Sequence, residues 1–201
     1  MAYNFEIVGL EQLAQYVGEI PAKQKKAARM AINKAADKAR TRGAREILDA
    51  INLPASYLNP SQGRLTVSRR ASDDNLEAAV TGKQRPTSLA RFVVGNPQPR
   101  SGDPIEVAIN RGAGAKHLDR AFVVNLRRGN TDTKGNIGLA VRTSDGGKPR
   151  GAYKPQPLSG GAWLLYGPSV DQLFRRIRVD IGPSVADDLA QEYERLLKVE
   201  L

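Results

Sequence analysis

The chain has 201 residues, 40% hydrophobic and 26% charged, which suits one generous globular domain or two small ones. Its 31 Lys and Arg against 21 Asp and Glu give a formal charge of +10 and predict an acidic partner: nucleic acid, an anionic surface or the negative face of another protein. With no cysteine, a disulfide framework, a thiolate nucleophile, a zinc ribbon and an iron–sulfur cluster are excluded.

After a short opening segment, residues 22–51 read as a long helix. Alanines and long side chains dominate, Pro21 fits the first turn, and Ile32, Ala35, Ala39, Ile47 and Ile51 fall on one face at a 3.6-residue period. The stripe is largely alanine, so a neighbouring element can approach closely, and Gly43 on the same stripe marks a bend or a close contact. Asn52, Leu53 and Pro54 stop the helix. The segment holds nine Lys and Arg (Lys23, Lys25, Lys26, Arg29, Lys34, Lys38, Arg40, Arg42, Arg45) against Asp37, Glu46 and Asp49, a net +6 in about 30 residues. Two readings follow: a phosphate-binding ridge, or a solvated Lys-rich face of an amphipathic helix.

Between residues 53 and 166, short β-prone runs alternate with Gly, Pro, Asn and Asp. Strands are expected at 64–71, 76–81, 89–94, 105–109, 121–126, 137–142 and 161–166, forming an antiparallel sheet or a small sandwich or barrel. Residues 95–103 and 142–159 lack apolar periodicity and read as long loops. The tetrapeptide Gly-Pro-Ser-Val then occurs at 167–170 and again at 182–185. Ser169 with Gln172, and Ser184 with Asp187, have capping-box spacing, and each is followed by an apolar helical stripe, so two C-terminal helices are expected. The whole reads as a single α+β domain over 1–201: a helical segment to residue 52, a β region over 53–166 and C-terminal helices over 167–201.

Motifs for chemistry are sparse. His117 is the single histidine, and no cysteine stands beside it to complete a transition-metal set. Gly112, Gly114 and Lys116 fail the Walker spacing, and no dinucleotide fingerprint occurs. Asp73 with Asp74 sits in a turn-forming Ser-Asp-Asp-Asn, and Asp187 with Asp188 at an expected helix start, where carboxylates have local explanations. No nucleophile elbow is present. Neither an enzyme nor a cofactor nor a metal is expected. The opening residues lack the basic region and apolar run of a signal peptide, and the longest apolar runs fall far short of a bilayer's thickness, so no membrane partner is expected. Nucleic-acid binding has more support, from the helix cations and from arginine groups at 69–70, 127–128 and 175–178. Phe92, Phe122 and Phe174 lie in apolar runs that suit a core, so such binding would read phosphate charge and not bases.

Three stretches resemble the minor tail protein Z, or tail completion, proteins of lambda-like bacteriophages. These are Ala28-Arg-Met-Ala-Ile-Asn-Lys-Ala-Ala-Asp37 in the long helix, Arg120-Ala-Phe-Val-Val in the middle, and Trp163-Leu-Leu-Tyr-Gly-Pro-Ser-Val170 before the C-terminal helices. The last is the most specific, and residues 125–154 depart from the pattern. The resemblance implies a virion structural protein that finishes the head-proximal end of the tail and helps join tail to head. It further implies a homo-oligomeric ring, commonly sixfold, lying near the DNA channel beside tail terminator, tail tube or head connector proteins, and assembled in the host cytoplasm. The contact surfaces expected are the helix cations Lys23, Lys25, Lys26, Arg29, Lys34, Lys38, Arg42 and Arg45, together with loops around Arg100 and Lys148. The alternative is a nonspecific nucleic-acid-binding protein using the basic helix.

Overall fold

A computed structural model describes residues 21–95, 104–126, 136–151 and 153–200. The fold is mixed α+β, with two long helices and nine short strands among the described residues: α1 (Ala22–Ala50), β1 (Leu65–Arg69), β2 (Ala79–Gly82), β3 (Pro86–Ser88), β4 (Ile105–Val107), β5 (Lys116–Leu118), β6 (Ala121–Leu126), β7 (Asn136–Arg142), β8 (Tyr153–Leu158), β9 (Ala162–Ser169) and α2 (Val170–Glu200). The chain passes between two compact units. A helical unit comprises residues 1–47, 56–83 and 171–201, and a β unit comprises 48–55 and 84–170.

In the helical unit, α1 starts at the Pro21 carbonyl, which accepts from the amides of Gln24 at 2.9 Å and Lys25 at 3.1 Å. The alanine stripe is the core face as expected: Ala27, Ala31, Ile32, Ala35, Ala39 and Ile47 are all buried. α2 packs against it antiparallel. Ala27 and Ala31 meet Leu196 near one end, with Leu189, Tyr193 and Leu197 half-buried around them. Toward the other end, Gly43 meets Phe174, where a Cβ would stand 2.5 Å from the ring. The glycine is therefore a close contact, which small side chains on this face make possible.

The two expected C-terminal helices are one. α2 runs unbroken through Gly182 and Pro183. Proline withdraws the donor for the Val179 carbonyl, and together Gly and Pro are about 4 kcal/mol poorer than two alanines in a helix. Burial offsets this: Ile181 and Val185, on either side of the Gly182–Pro183 pair, are both enclosed on the α1 side of the helix, worth about 1.5–3 kcal/mol each. Ser184 does not act as a free cap, because its hydroxyl donates to the Ile181 carbonyl at 2.9 Å and accepts from Arg42 Nη1 at 2.8 Å.

The β1–β2 hairpin, kinked by a register shift between Val67 and Arg69, completes this unit. Two α1 side chains hold its approach. Arg40 donates to the carbonyls of Leu58 and Leu65, and Asn33 pairs with Ala71 like a strand neighbour, donating to its carbonyl at 3.0 Å and accepting its amide at 2.9 Å.

The β unit is built on β9. Leu164 pairs with Ala140 of β7 and with Gln156 of β8, while Tyr166 pairs with Ser88 of β3 and with Tyr153 of β8. β8 therefore covers one side of β9, and β7 and β3 share the other end to end. β6 pairs with β7 in a regular antiparallel register, and β4 with β5 separately. Leu139, Ala140, Val123 and Leu165 form the centre of the buried sheet.

Five strand expectations need correction, the first being β3 (Pro86–Ser88), which lies where no strand is expected. Residues 89–92 form a 3₁₀ turn, because Leu89 and Phe92 both pack on Gly167 of β9, and positions three apart share a side in a 3₁₀ turn but not in a strand. Phe92 and Val94 then exchange backbone bonds with Ala108 and Glu106 beside β4. β2 begins at Ala79, three residues later than expected, after the Ser72–Asn75 turn. β5 lies in the segment around His117 that reads as a loop. β8 lies inside the expected loop 142–159, the rest of which starts with a tight turn: Thr143 Oγ1 donates to the Gly147 carbonyl at 2.7 Å, and Trp163 Nε1 to that of Gly146 at 3.2 Å.

Candidate polyanion and partner surface

The cations of α1 are the natural place to look for a surface, and the fold uses several of them internally. Lys34, Lys38 and Arg42 recur every four residues, one turn apart on the same side of α1. Opposite them on α2 stand Ser184, Asp188 and Glu192, with the same spacing in the reverse direction. Lys34 Nζ lies 2.6 Å from Glu192 Oε2, Lys38 Nζ 2.5 Å from Asp188 Oδ1, and Arg42 Nη2 2.6 Å from Asp188 Oδ2. The carboxylates sit deeper than their partners: 11% and 13% of the Glu192 and Asp188 side chains is exposed, against 39–50% for the three cations. Hydrogen bonds from Arg195 and then Lys34 hold Glu192 down at about 2, and the bond from Lys38, with the Arg42 charge, lowers Asp188.

The remaining expected contacts divide. Arg29 is 3.1 Å from Asp73, which gives that carboxylate a structural partner. Arg70 forks onto Asp37 at 2.7 and 3.1 Å, and this bond raises the arginine further. Lys23 and Lys26 are exposed and each engaged in a polar or electrostatic contact. Lys25 is half-buried and Arg45 exposed, and neither forms an ion pair with a described residue. Lys148 is exposed just beyond the 143–147 turn, and Arg100 lies outside the described residues, as do most of loop 95–103 and the arginines at 127–128. The helix cations are thus not a continuous free ridge, and three of them form a ladder beneath which α2 places carboxylates.

Charge is distributed unevenly between the units. The helical unit has 18 Lys and Arg against 15 Asp and Glu, a net +3, whereas the β unit has 13 against 6, a net +7. Residues 110–117 of the β unit, with Arg111, Lys116 and His117, are all exposed, and Arg120 follows with a positive φ of 56°. His117 Nε2 is 3.3 Å from Asp119, an ion pair when the ring is protonated. Arg142 stacks over Phe122 at 4.9 Å and Arg64 over Tyr57 at 4.1 Å. Phe92 and Phe174 are buried, as expected of core residues. Among the described residues no three His, Asp or Glu side chains are placed to hold a metal ion, and no helix is long and apolar enough to cross a membrane.

The α2 carboxylates are the part of this surface that sequence reasoning misses. Its signal is present: two complementary three-residue ladders at four-residue spacing, Lys34–Lys38–Arg42 and Ser184–Asp188–Glu192. Compared with protein-family profiles, with curated proteins and with solved structures, the chain matches none.

Proposed function

We propose that this chain is a bacteriophage virion structural protein that completes the head-proximal end of the tail and helps join tail to head. It works as a homo-oligomeric ring, with sixfold symmetry favoured, in the tail or neck of the virion after assembly in the host cytoplasm. Tail terminator, tail tube or head connector proteins are its neighbours. The observation that carries the reading is the stretch 163–170, the most specific part of the likeness to tail completion proteins. It forms the junction of β9 and α2, where Leu164, Leu165, Ser169 and Val170 are buried. Packing accounts for these residues, which suits a protein whose work is assembly.

The second reading, nonspecific nucleic-acid binding, is favoured by the +7 of the β unit, a field able to hold phosphate without reading bases. Electron microscopy of lysates from a phage with an early stop codon in this gene tests the first. Filled heads beside separate full-length tails, rescued by supplying the protein, are the expected result, and normal joined virions would overturn it. A salt titration of duplex DNA binding tests the second, which needs submicromolar affinity near physiological salt.

A further inference from the structure

We propose that the C-terminal arm of α2, residues 184–200, is an acidic cover that swings on Gly182–Pro183 and hands the Lys34–Lys38–Arg42 row to duplex DNA. The inference rests on reading α1 as a polyanion surface and does not need the joining role.

Four observations lead to it. First, the row already holds anions, since Asp188 and Glu192 reach all three cations within 2.6 Å. A phosphate backbone presents the same chemistry in a row, and α1 has no aromatic residue, so it suits charge and not bases. Second, the stretch 179–194 contains five acids and no base. Asp180, Asp187 and Glu194 are exposed and make no ion pair with described residues, so the arm is more acidic than its packing against α1 requires.

Third, the arm is held more thinly than the rest of α2. Before Gly182, Val170, Leu173, Phe174 and Ile181 are buried, whereas among the described residues beyond Val185 Leu196 alone is fully enclosed, set on the small side chains of Ala27 and Ala31 with Leu189, Tyr193 and Leu197 half-buried around it. Val185 itself lies beside the pivot, where rotation moves it least. Fourth, both states are provided for in the chain. Pro183 leaves the Val179 carbonyl without its helical donor, which weakens the helix there. Once parted, Ser184 becomes an N-cap with Asp187 three residues on, so the free arm stays helical. Arg195, 2.7 Å from Glu192, travels with the arm and keeps that carboxylate paired. DNA then takes over the cations, and the equilibrium shifts by the difference in affinity between the closed and open states.

Because the chain has no cysteine, Ala31→Cys with Leu196→Cys, positions that share one buried cluster, can staple the closed arm, with disulfide formation confirmed by thiol titration before binding is measured. Binding of a fluorescent 30-base-pair duplex at low salt is the readout. The oxidised staple should bind at least about tenfold more weakly than the same protein after reduction. Equal binding would overturn the cover. Asp188→Asn with Glu192→Gln should tighten binding about tenfold, because it removes the anions that compete with phosphate for the row. Asp180→Asn with Glu194→Gln removes the same charge from the outward face and should change it far less. Equal gains from both pairs would reduce the effect to net charge and sink the proposal. Hydrogen exchange gives a check without ligand: amides of 186–198 should exchange faster than those of 171–181, and Pro183→Ala should slow them. Uniform exchange along α2 would overturn the hinge. Capture of polyglutamate with no binding of DNA by the reduced protein would overturn the assignment of DNA. A staple that abolishes DNA binding while heads and tails still join supports the cover and separates it from the joining role.

Discussion

In the helical unit, carboxylates of α2 and of the 70–77 region are drawn onto the cations of α1 and β1, and Asp37 of α1 onto Arg70, so that Asp37, Asp73, Glu77, Asp188 and Glu192 all meet an arginine or lysine from another segment. The β unit has 13 cations against 18 but fewer than half the acids, and one of its arginines lies over an aromatic ring. The segment that is most basic along the sequence therefore belongs to the nearly balanced unit. The stronger field belongs to the unit whose cations are spread through turns and short strands. Local charge density identifies where cations are made, and the fold decides which of them remain available to a partner.

The comparison can be broken most severely at the β core. Leu139 is fully buried in β7, and Leu139→Ala should cost about 3 kcal/mol in chemical denaturation. Hydrogen exchange should place that loss in β6, β7 and β9 while α1 keeps its protection. Matched losses in both units would mean that they unfold as one. Arg40→Ala comes next, at about 2 kcal/mol, since it removes the donor shared by the Leu58 and Leu65 carbonyls. Its signature is a lowered melting temperature that lysine, with no guanidinium fork, restores only in part.

Gly43→Ala should destabilise by about 1 kcal/mol even though alanine is the better helix former, because the new methyl meets Phe174. Phe174→Leu in the same chain should relieve the crowding, and a more stable single variant would show that the ring moves aside freely. Smallest is the acid response of the ladder. Glu192 is held at about 2 against an ordinary 4.5, and Asp188 is also lowered, so their stabilisation is complete above the ordinary carboxylate range. It fades as pH falls from there through about 2. Glu192→Gln with Asp188→Asn should flatten this limb, and added salt should weaken it, in melts monitored by helical circular dichroism.

The long helix and the β6–β7 pair were legible in sequence because their signals are local and redundant. Ile32, Ala35, Ala39 and Ile47 keep helical period over about four turns and are all buried, while Ile51, expected on the same stripe, is buried just past the helix in a bridge to Asn110; 121–126 is a β-prone run. What escaped depends on partners far along the chain. Leu89 and Phe92 turn because Gly167 leaves space for both, and the 182–185 repeat stays within α2 because Ile181 and Val185 have a surface to cover. β8, with Lys-Pro-Gln-Pro at its centre, has almost no strand propensity of its own and is defined by β9. The contact surface was legible in its residue types and not in its availability, since each of Lys34, Lys38 and Arg42 is paired with a residue about 150 positions away.

The two prolines of β8 bear on how copies of this chain can gather. Pro155 and Pro157 remove two of the six amides from the outermost strand on that flank of the sheet, so an approaching strand finds no regular row of donors there. On the opposite flank β6 pairs only with β7 among the described residues. Lateral growth of this sheet from its β8 side is therefore disfavoured, and a second strand would have to approach elsewhere.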